Sequence, residues 1–137
     1  MATLVFDTSG FSALASGHTS VLAVIDDVRF ERFLVPLAVD AELRFGYKHG
    51  TREADNLLLY AQLIQDLAAE IIAPDEETSK VYAELATWSV DHGAAMTAND
   101  LWVAAAAVQY GAELLTFDVD FSRLPQVRVV PGLLKRG

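Results

Sequence analysis

The sequence predicts a single α/β domain whose central sheet is mostly parallel. Short apolar runs of strand length alternate along the chain with longer segments of helical periodicity. The 137 residues are the size of one ordinary domain, and 53% of them are hydrophobic, which is enough to form a core. The chain contains no cysteine, which excludes disulfides, thiolate nucleophiles and cysteine-held metal centres. We therefore treat residues 1–137 as one domain.

The first half of the chain supplies three of the predicted strands. In chain order we predict a strand at 4–6, short helices at 11–15 and 20–28, a strand at 34–36, helices at 37–49 and 52–69, and a strand at 71–73. The strands are apolar runs, and polar turn residues follow the first of them at once. Thr19 is placed to cap the second helix, and Gly50 is a stop signal for the third.

The second half adds two helices and two strands. We predict helices at 75–92 and 97–110 and strands at 114–117 and 127–130. Three acidic residues fill the first turn of the helix at 75–92, where the helix dipole favours negative charge, and Gly93 ends that helix. Thr97 opens the next helix, which ends before Gly111.

Carboxylates stand at four separate places that such a fold brings together. They are Asp7 after the first strand, Glu42 just past the second, Asp100 in the first turn of the last helix, and Asp118 after the fourth strand. Parallel sheets bind ligands at the carboxyl ends of their strands. Clustered carboxylates repel one another unless a divalent cation neutralises them, and Mg²⁺ prefers carboxylate and water ligands. Such a cation can activate a water for attack on a phosphodiester.

Each of these acids also has a simpler structural interpretation. Asp7 could cap a helix, and Thr97 with Asp100 fits a capping box. Asp118 and Asp120 could be turn residues, and Glu42 could be a solvated helical acid. The convergence of the acids, rather than any one of them, favours a metal site.

The charge balance limits how the protein could bind nucleic acid. Nineteen acidic residues against ten basic ones give a net charge of −9, which argues against a broad basic binding surface. Arg44, Lys48 and Arg52 are spaced by four and could line one helix face as a local phosphate track, or form only a solvated basic face. Most aromatic side chains are predicted to lie in the core, although one or two could stack on an unpaired base.

Four sequence segments carry a resemblance to a known family. They are LVFDTS at 4–9, AELRFG at 41–46, TANDLWVAA at 97–105 and TFDVDF at 116–121. In this order they resemble the successive motifs of PIN-domain ribonucleases, and most closely those of the VapC-type toxins of bacterial toxin–antitoxin pairs. The resemblance spans nearly the full chain and implies a three-layer α/β/α sandwich.

The resemblance also implies an activity and a set of site residues. The activity is that of a Mg²⁺- or Mn²⁺-dependent endoribonuclease, whose catalytic and metal-holding acids are Asp7, Glu42, Asp100 and Asp118. The implied supporting residues are Thr8, Asn99, Thr116 and Asp120.

Two positions depart from the family pattern. Ser9 stands where the family often has Asn, which keeps a polar group at that place. Asp40 stands where the family commonly has Ser or Thr. We expect Asp40 to point away from Glu42, since alternate residues near a strand end face apart.

The same resemblance implies two protein partners. One is an antitoxin whose C-terminal segment fills a groove in the first half of the chain, and an arginine of that segment could enter the acid cluster. The other is a second copy of the chain in a homodimer. No apolar run approaches the ~18–20 residues of a membrane span, and no signal peptide is evident, so we expect a cytoplasmic protein.

Two rival functions are weighed against the nuclease. The first is a catalytically silent PIN-like binding module whose acids only cap helices. The second is a phosphoryl-transfer domain with Asp7 as nucleophile. It fits poorly because Ser9 stands where such sites of the haloacid-dehalogenase type have a second Asp, and because no lysine lies between Lys80 and Lys135 as receiver domains would need.

Overall fold

The structure is a computed structural model that describes residues 2–133. It confirms the α/β class. In chain order the elements are β1 (Ala2–Phe6), α1 (Thr8–Ala15), α2 (Thr19–Ile25), β2 (Phe30–Pro36), α3 (Leu37–His49), α4 (Glu53–Leu67), β3 (Glu70–Ile72), α5 (Glu76–Asp91), α6 (Ala98–Gln109), β4 (Glu113–Leu115), a 3₁₀ helix (Val119–Arg123) and β5 (Arg128–Val129).

The strands form one parallel sheet in the order β3-β2-β1-β4-β5. β1 lies at the centre, where Val5 is opposite Leu34 of β2 and Leu114 of β4. All three of these side chains are fully buried, because helices cover both faces of the sheet. The chain first adds strands on one side of β1 and then returns to add strands on the other. The strand order therefore reverses between β1 and β4.

The helices form the two outer layers of the sandwich. α1 packs on β1 and against α3 and α4, whereas α6 lies across β1, β2 and β4 and carries α5 on its outer side. Right-handed crossovers place the helices before β3 on one face of the sheet and those after it on the other. The buried alanines at 104–107 let α6 approach the strands closely. This is the three-layer arrangement that the resemblance implied.

The predicted bounds match α3 completely and miss others for local reasons. β2 begins at Phe30 rather than at residue 34, because exposed Glu31 and Arg32 interrupt its first half, which therefore shows no apolar run. β4 ends at Leu115 rather than at residue 117, since the Phe117 amide donates to a side chain instead of continuing the ladder.

Helices α1 and α2 also differ from the prediction. α1 begins three residues earlier than expected, because the polar residues after β1 are already helical. α2 ends at Ile25 rather than at residue 28. No helix within residues 2–133 is long and apolar enough to cross a membrane.

Candidate active site

Two of the predicted acids lie where the strand order reverses. Asp7 follows β1 and Asp118 lies three residues after β4, and ligands of open α/β sheets bind at such a position. The fully buried Thr116 joins them, because its hydroxyl donates to Asp7 Oδ2 at 2.7 Å and accepts the Asp118 amide at 3.0 Å. This one hydroxyl fixes the Asp7 side chain relative to the Asp118 backbone.

A second hydroxyl holds the same oxygen of Asp7. Ser9 Oγ donates to Asp7 Oδ2 at 3.1 Å and accepts the Phe117 amide at 3.0 Å. The other carboxylate oxygen, Oδ1, receives no hydrogen bond from any residue in the range 2–133. Since no described side-chain oxygen is both fully buried and unpaired, Oδ1 is open to solvent or a ligand. The Asp7 side chain is thus oriented with one oxygen left available.

The capping interpretation is not realised for Asp7 or Asp100. Asp7 occupies the N-cap position of α1, but its carboxylate makes no capping hydrogen bond to that helix. At α6 the cap is Thr97, whose hydroxyl accepts the Asp100 amide at 3.1 Å, without the reciprocal bond of a capping box. Asp118 does cap, since its Oδ1 accepts the Asp120 amide at 2.9 Å. Neither Asp7 nor Asp100 therefore uses its carboxylate to cap a helix.

Glu42 is positioned by neutral donors from two other helices. Thr8 Oγ1, at the start of α1, donates to Glu42 Oε2 at 3.2 Å. Asn99 Nδ2, in the first turn of α6, donates to Glu42 Oε1 at 3.3 Å. The beginnings of α1 and α6 therefore meet at the Glu42 side chain on α3. Thr8, Asn99 and Thr116 all contact an acid of the predicted set.

The four acids share one electrostatic environment. Burial raises the pKa of Asp100 above its ordinary value, although the Thr97 hydroxyl opposes the shift. The negative charges of Asp118, Asp7 and Glu42 raise it further. Each of the other three acids therefore acts on Asp100.

The chemistry of this donor set suits a hard divalent cation. Within residues 2–133 no three acidic or histidine side chains are close enough together to form a complete ligand group. Mg²⁺ commonly takes only one or two protein carboxylates and completes its coordination with waters and substrate phosphates. The site offers carboxylate oxygens without imidazole or thiolate among them, which is the donor type for Mg²⁺ and Mn²⁺.

The flanking acids Asp40 and Asp120 are engaged by arginines. Asp40 is buried and accepts hydrogen bonds from Tyr60 Oη at 2.7 Å and Arg44 Nε at 3.0 Å. It faces α4 and not Glu42, as expected, although it does so from the first turn of a helix and not from a strand end. Asp120 lies 3.5 Å from Arg123, so its carboxylate is paired within the 3₁₀ helix.

The predicted basic track does not form a single helical face. Arg44 and Lys48 lie on α3, but Arg52 lies beyond Gly50 at the N-cap of α4. Arg44 is bonded to Asp40, and Arg52 is 3.2 Å from Asp55. The spacing of four was misleading because the helix ends between the second and third residues.

Ser9 is the site residue whose role the sequence did not reveal. The family resemblance marks it only as a departure from the usual Asn, yet its hydroxyl contacts both Asp7 and the backbone after β4. Serine is common in the first turn of a helix, so its place in the sequence does not mark Ser9. Its hydrogen bond with the Phe117 amide, 108 positions away, identifies it as a site residue.

Comparison with known proteins places the chain in a family. The family model of the PIN domain matches residues 4–127. The chain belongs to the PIN-domain family. Ribonuclease VapC5 of Mycobacterium tuberculosis is 30% identical over 120 residues, which cover 88% of this chain and 86% of that protein. Ribonuclease VapC4 of the same organism is 33% identical over 125 residues, covering 85% of this chain and 95% of that protein.

Solved structures agree with this assignment of the PIN fold. The crystal structure of VapBC2 from Rickettsia felis, bound to a promoter DNA fragment, superposes with a TM-score of 0.83 at 21% identity, covering 93% of this chain and 97% of that one. VapBC-5 from Mycobacterium tuberculosis, a member of a toxin–antitoxin family, gives a TM-score of 0.72 at 26% identity, with 95% and 98% covered. All four acids of this PIN domain lie within the matched residues.

Proposed function

We propose that this PIN domain is the toxin of a toxin–antitoxin pair and acts as a metal-dependent endoribonuclease. The observation that carries the proposal is the pairing of Asp7 and Asp118 through Thr116 at the point where the strand order reverses. Asp100 and Glu42 share the electrostatic environment of this pair. The names of the curated relatives, both called ribonucleases, support the same reaction class.

In the proposed site one or two of the acids Asp7, Glu42, Asp100 and Asp118 would contact Mg²⁺ or Mn²⁺ directly, and the others would act on it through bound water. A bound divalent cation makes water more acidic and stabilises the negative charge that develops on a phosphate during hydrolysis. Thr116 and Ser9 orient Asp7, leaving its Oδ1 available. Thr8 and Asn99 orient Glu42 in the same way, so that both side chains are already held before a ligand arrives.

Loss of single acids tests the catalytic part of the proposal. We expect the purified chain to cleave RNA with Mg²⁺, and Asp7→Asn and Asp100→Asn to lower the cleavage rate by ~100-fold or more. Asp26→Asn is the matched control, because Asp26 is exposed and precedes β2 at the opposite edge of the sheet. Cleavage that survives EDTA, or survives both site substitutions, would contradict the proposal.

The silent binding module predicts a different outcome for metal binding. If the acids served only the fold, Mg²⁺ would not bind and RNA would stay intact. We expect calorimetric titration of Mg²⁺ to show binding to the wild type and weaker binding to Asp7→Asn. The available Oδ1 of Asp7 and the absence of capping bonds from Asp7 and Asp100 favour the metal site among the described residues.

The proposal extends to the partners. The similarity of this chain to VapBC-5, a member of the VapBC family of toxin–antitoxin systems, supports an antitoxin partner. In the first half of the chain Phe11, Leu14 and Val21 are buried in the core, whereas Leu22 is 40% exposed and available to a partner. A homodimer and a cytoplasmic location stay predictions. Sedimentation analysis of the chain with and without the product of a neighbouring reading frame would test the assembly.

A further inference from the structure

An open concavity lies beside the acid cluster and belongs to none of the roles above. Its volume is about 400 Å³, and it is lined by Ser9, Ser12, Ala13, His18 and Phe117. This volume lies within the ~300–1,000 Å³ range of small-molecule sites. His18 stands at the N-cap of α2 but makes no side-chain capping bond, so its ring is not committed to the helix.

The wall of the concavity is directly connected to the proposed catalytic site. Ser9 lines the concavity, and its hydroxyl bonds both Asp7 at 3.1 Å and the Phe117 amide at 3.0 Å. Phe117 is also the residue immediately before Asp118. A group seated against Phe117 is therefore separated from Asp7 by the Ser9 hydroxyl and lies one residue along the chain from Asp118, although neither acid lines the concavity.

The shape and chemistry of the lining suit a flat ring with a polar edge. The rings of His18 and Phe117 have centroids 5.2 Å apart and planes inclined at 61°, so they form two walls of a corner. Ala13 is small, and the Ser9 and Ser12 hydroxyls add hydrogen-bonding groups. Proteins bind unpaired nucleobases in this way, by stacking on an aromatic ring and hydrogen bonding to the base edge.

The charge of the protein favours such a contact with RNA over a purely electrostatic one. The chain has a net charge of −9, and Arg44 and Arg52 of the expected basic track are paired with acids. A polyanion that approaches four carboxylates gains little from long-range attraction. Stacking does not depend on positive charge, and it can hold a nucleotide beside acids that repel its phosphate.

We propose that this concavity binds one unpaired nucleobase of the RNA substrate, stacked on Phe117, next to the phosphodiester that is cleaved. The inference rests on the proposed function, since it assigns a subsite to the same substrate. It identifies the substrate as RNA that is single-stranded, or looped out, at the cleavage position.

The test is RNA binding without cleavage. A short fluorescein-labelled single-stranded RNA of mixed sequence is titrated in EDTA and followed by fluorescence anisotropy. We expect Phe117→Ala to weaken binding by ~5- to 100-fold and Phe117→Trp to retain it. Phe117→Leu keeps apolar volume for folding but removes the aromatic ring, so it should also bind weakly. Thermal unfolding establishes that each variant is folded.

A matched control exists on α5, in a concavity that shares no lining residue with the proposed subsite. Trp88 of α5 stacks on His92 at 4.0 Å beside a concavity of about 450 Å³, none of whose lining residues is one of the four acids. Trp88→Leu should therefore leave RNA binding unchanged. Equal losses from Trp88→Leu and Phe117→Leu would overturn the subsite, because they would show nonspecific stacking.

The binding measurement separates this inference from the proposed function. If Phe117→Leu weakens RNA binding in EDTA while Mg²⁺-dependent cleavage is absent, the subsite stands and the nuclease proposal fails. If cleavage depends on Mg²⁺ and Asp7 but folded Phe117→Leu binds RNA as the wild type does, the subsite is wrong. If Phe117→Leu binds RNA as the wild type does but no longer binds the antitoxin, the subsite is also wrong, because the concavity then binds a protein segment.

Discussion

Gly10 and Gly46 allow the same substitution to be tested at two helical positions with opposite expected results. Both glycines lie inside helices, α1 and α3, where alanine is intrinsically better than glycine by ~1 kcal/mol. A Cβ added at Gly46 meets no atom within 4 Å. A Cβ added at Gly10 meets the Leu115 carbonyl oxygen and carbon at the end of β4, and Leu115 Cγ at 3.0 Å.

The magnitudes follow from these contacts. For 137 residues, an unfolding entropy of ~2.1 cal/mol/K per residue converts 1 kcal/mol into about 3.5 °C of Tm. Gly46→Ala should stabilise by about 0.5–1 kcal/mol, which raises Tm by roughly 2–3 °C. Gly10→Ala should destabilise by about 1–3 kcal/mol, which lowers Tm by roughly 4–10 °C. The neighbour at Gly10 cannot easily shift, because the Leu115 carbonyl also accepts the Asp7 amide at 3.0 Å.

The assay is thermal unfolding followed by circular dichroism at neutral pH in EDTA, with urea unfolding as a second measure. Because α1 carries Thr8 and Ser9, its displacement in Gly10→Ala should also lower RNA cleavage at temperatures where the variant is folded. Gly46→Ala should cleave at the wild-type rate. If Gly10→Ala proves as stable as the wild type, α1 does not pack against the end of β4 as described.

Three further predictions concern Thr116, Tyr60 and Asp100. Thr116→Val removes a hydroxyl that bonds two site residues and should cost about 2–4 kcal/mol in urea unfolding, whereas Thr116→Ser should cost only about 1 kcal/mol. Tyr60→Phe leaves buried Asp40 without its 2.7 Å donor and should cost about 1.5–3 kcal/mol by the same measurement. Because the pKa of Asp100 is raised, the folded state favours its neutral carboxyl. Ionisation of Asp100 above its ordinary pKa of 3.8 therefore lowers the free energy of unfolding. Asp100→Asn should therefore raise Tm in EDTA at neutral pH, with the gain vanishing below pH 3.8; a gain that persists there would contradict the electrostatic cause.

The sheet and the places of the acids could be predicted because they depend on local pattern and a general rule. Buried strands such as Leu4–Phe6 are apolar runs, and the carboxyl ends of parallel strands meet at one edge. Sequence alone therefore assigns Asp7 and Asp118 to the same edge of the sheet. The first half of β2 could not be found, because exposed Glu31 and Arg32 interrupt its apolar residues.

The contacts that orient the site could not be predicted. Thr116 and Asp7 are 109 positions apart, and Asp40 and Tyr60 are 20 apart on different helices. Neither pair has a spacing that periodicity could reveal. The predicted track of Arg44 to Arg52 failed for the related reason that regular spacing has meaning only while the helix continues.

The hydrogen-bond donors that hold the site carboxylates are uncharged, so they leave the negative charge of the site in place. Within residues 2–133 the ion pairs of this region engage Asp40, through Arg44, and Asp120, through Arg123, and none engages the four site acids. Asp7, Glu42 and Asp118 are instead oriented by hydroxyl, amide and backbone donors, which fix a carboxylate without cancelling its charge. An arginine paired with any of the four would compete with a metal ion for the same carboxylate oxygens. The pairing of the flanking acids therefore leaves the central carboxylates available to a cation, whereas burial, followed by the charges of the neighbouring acids, raises the pKa of Asp100.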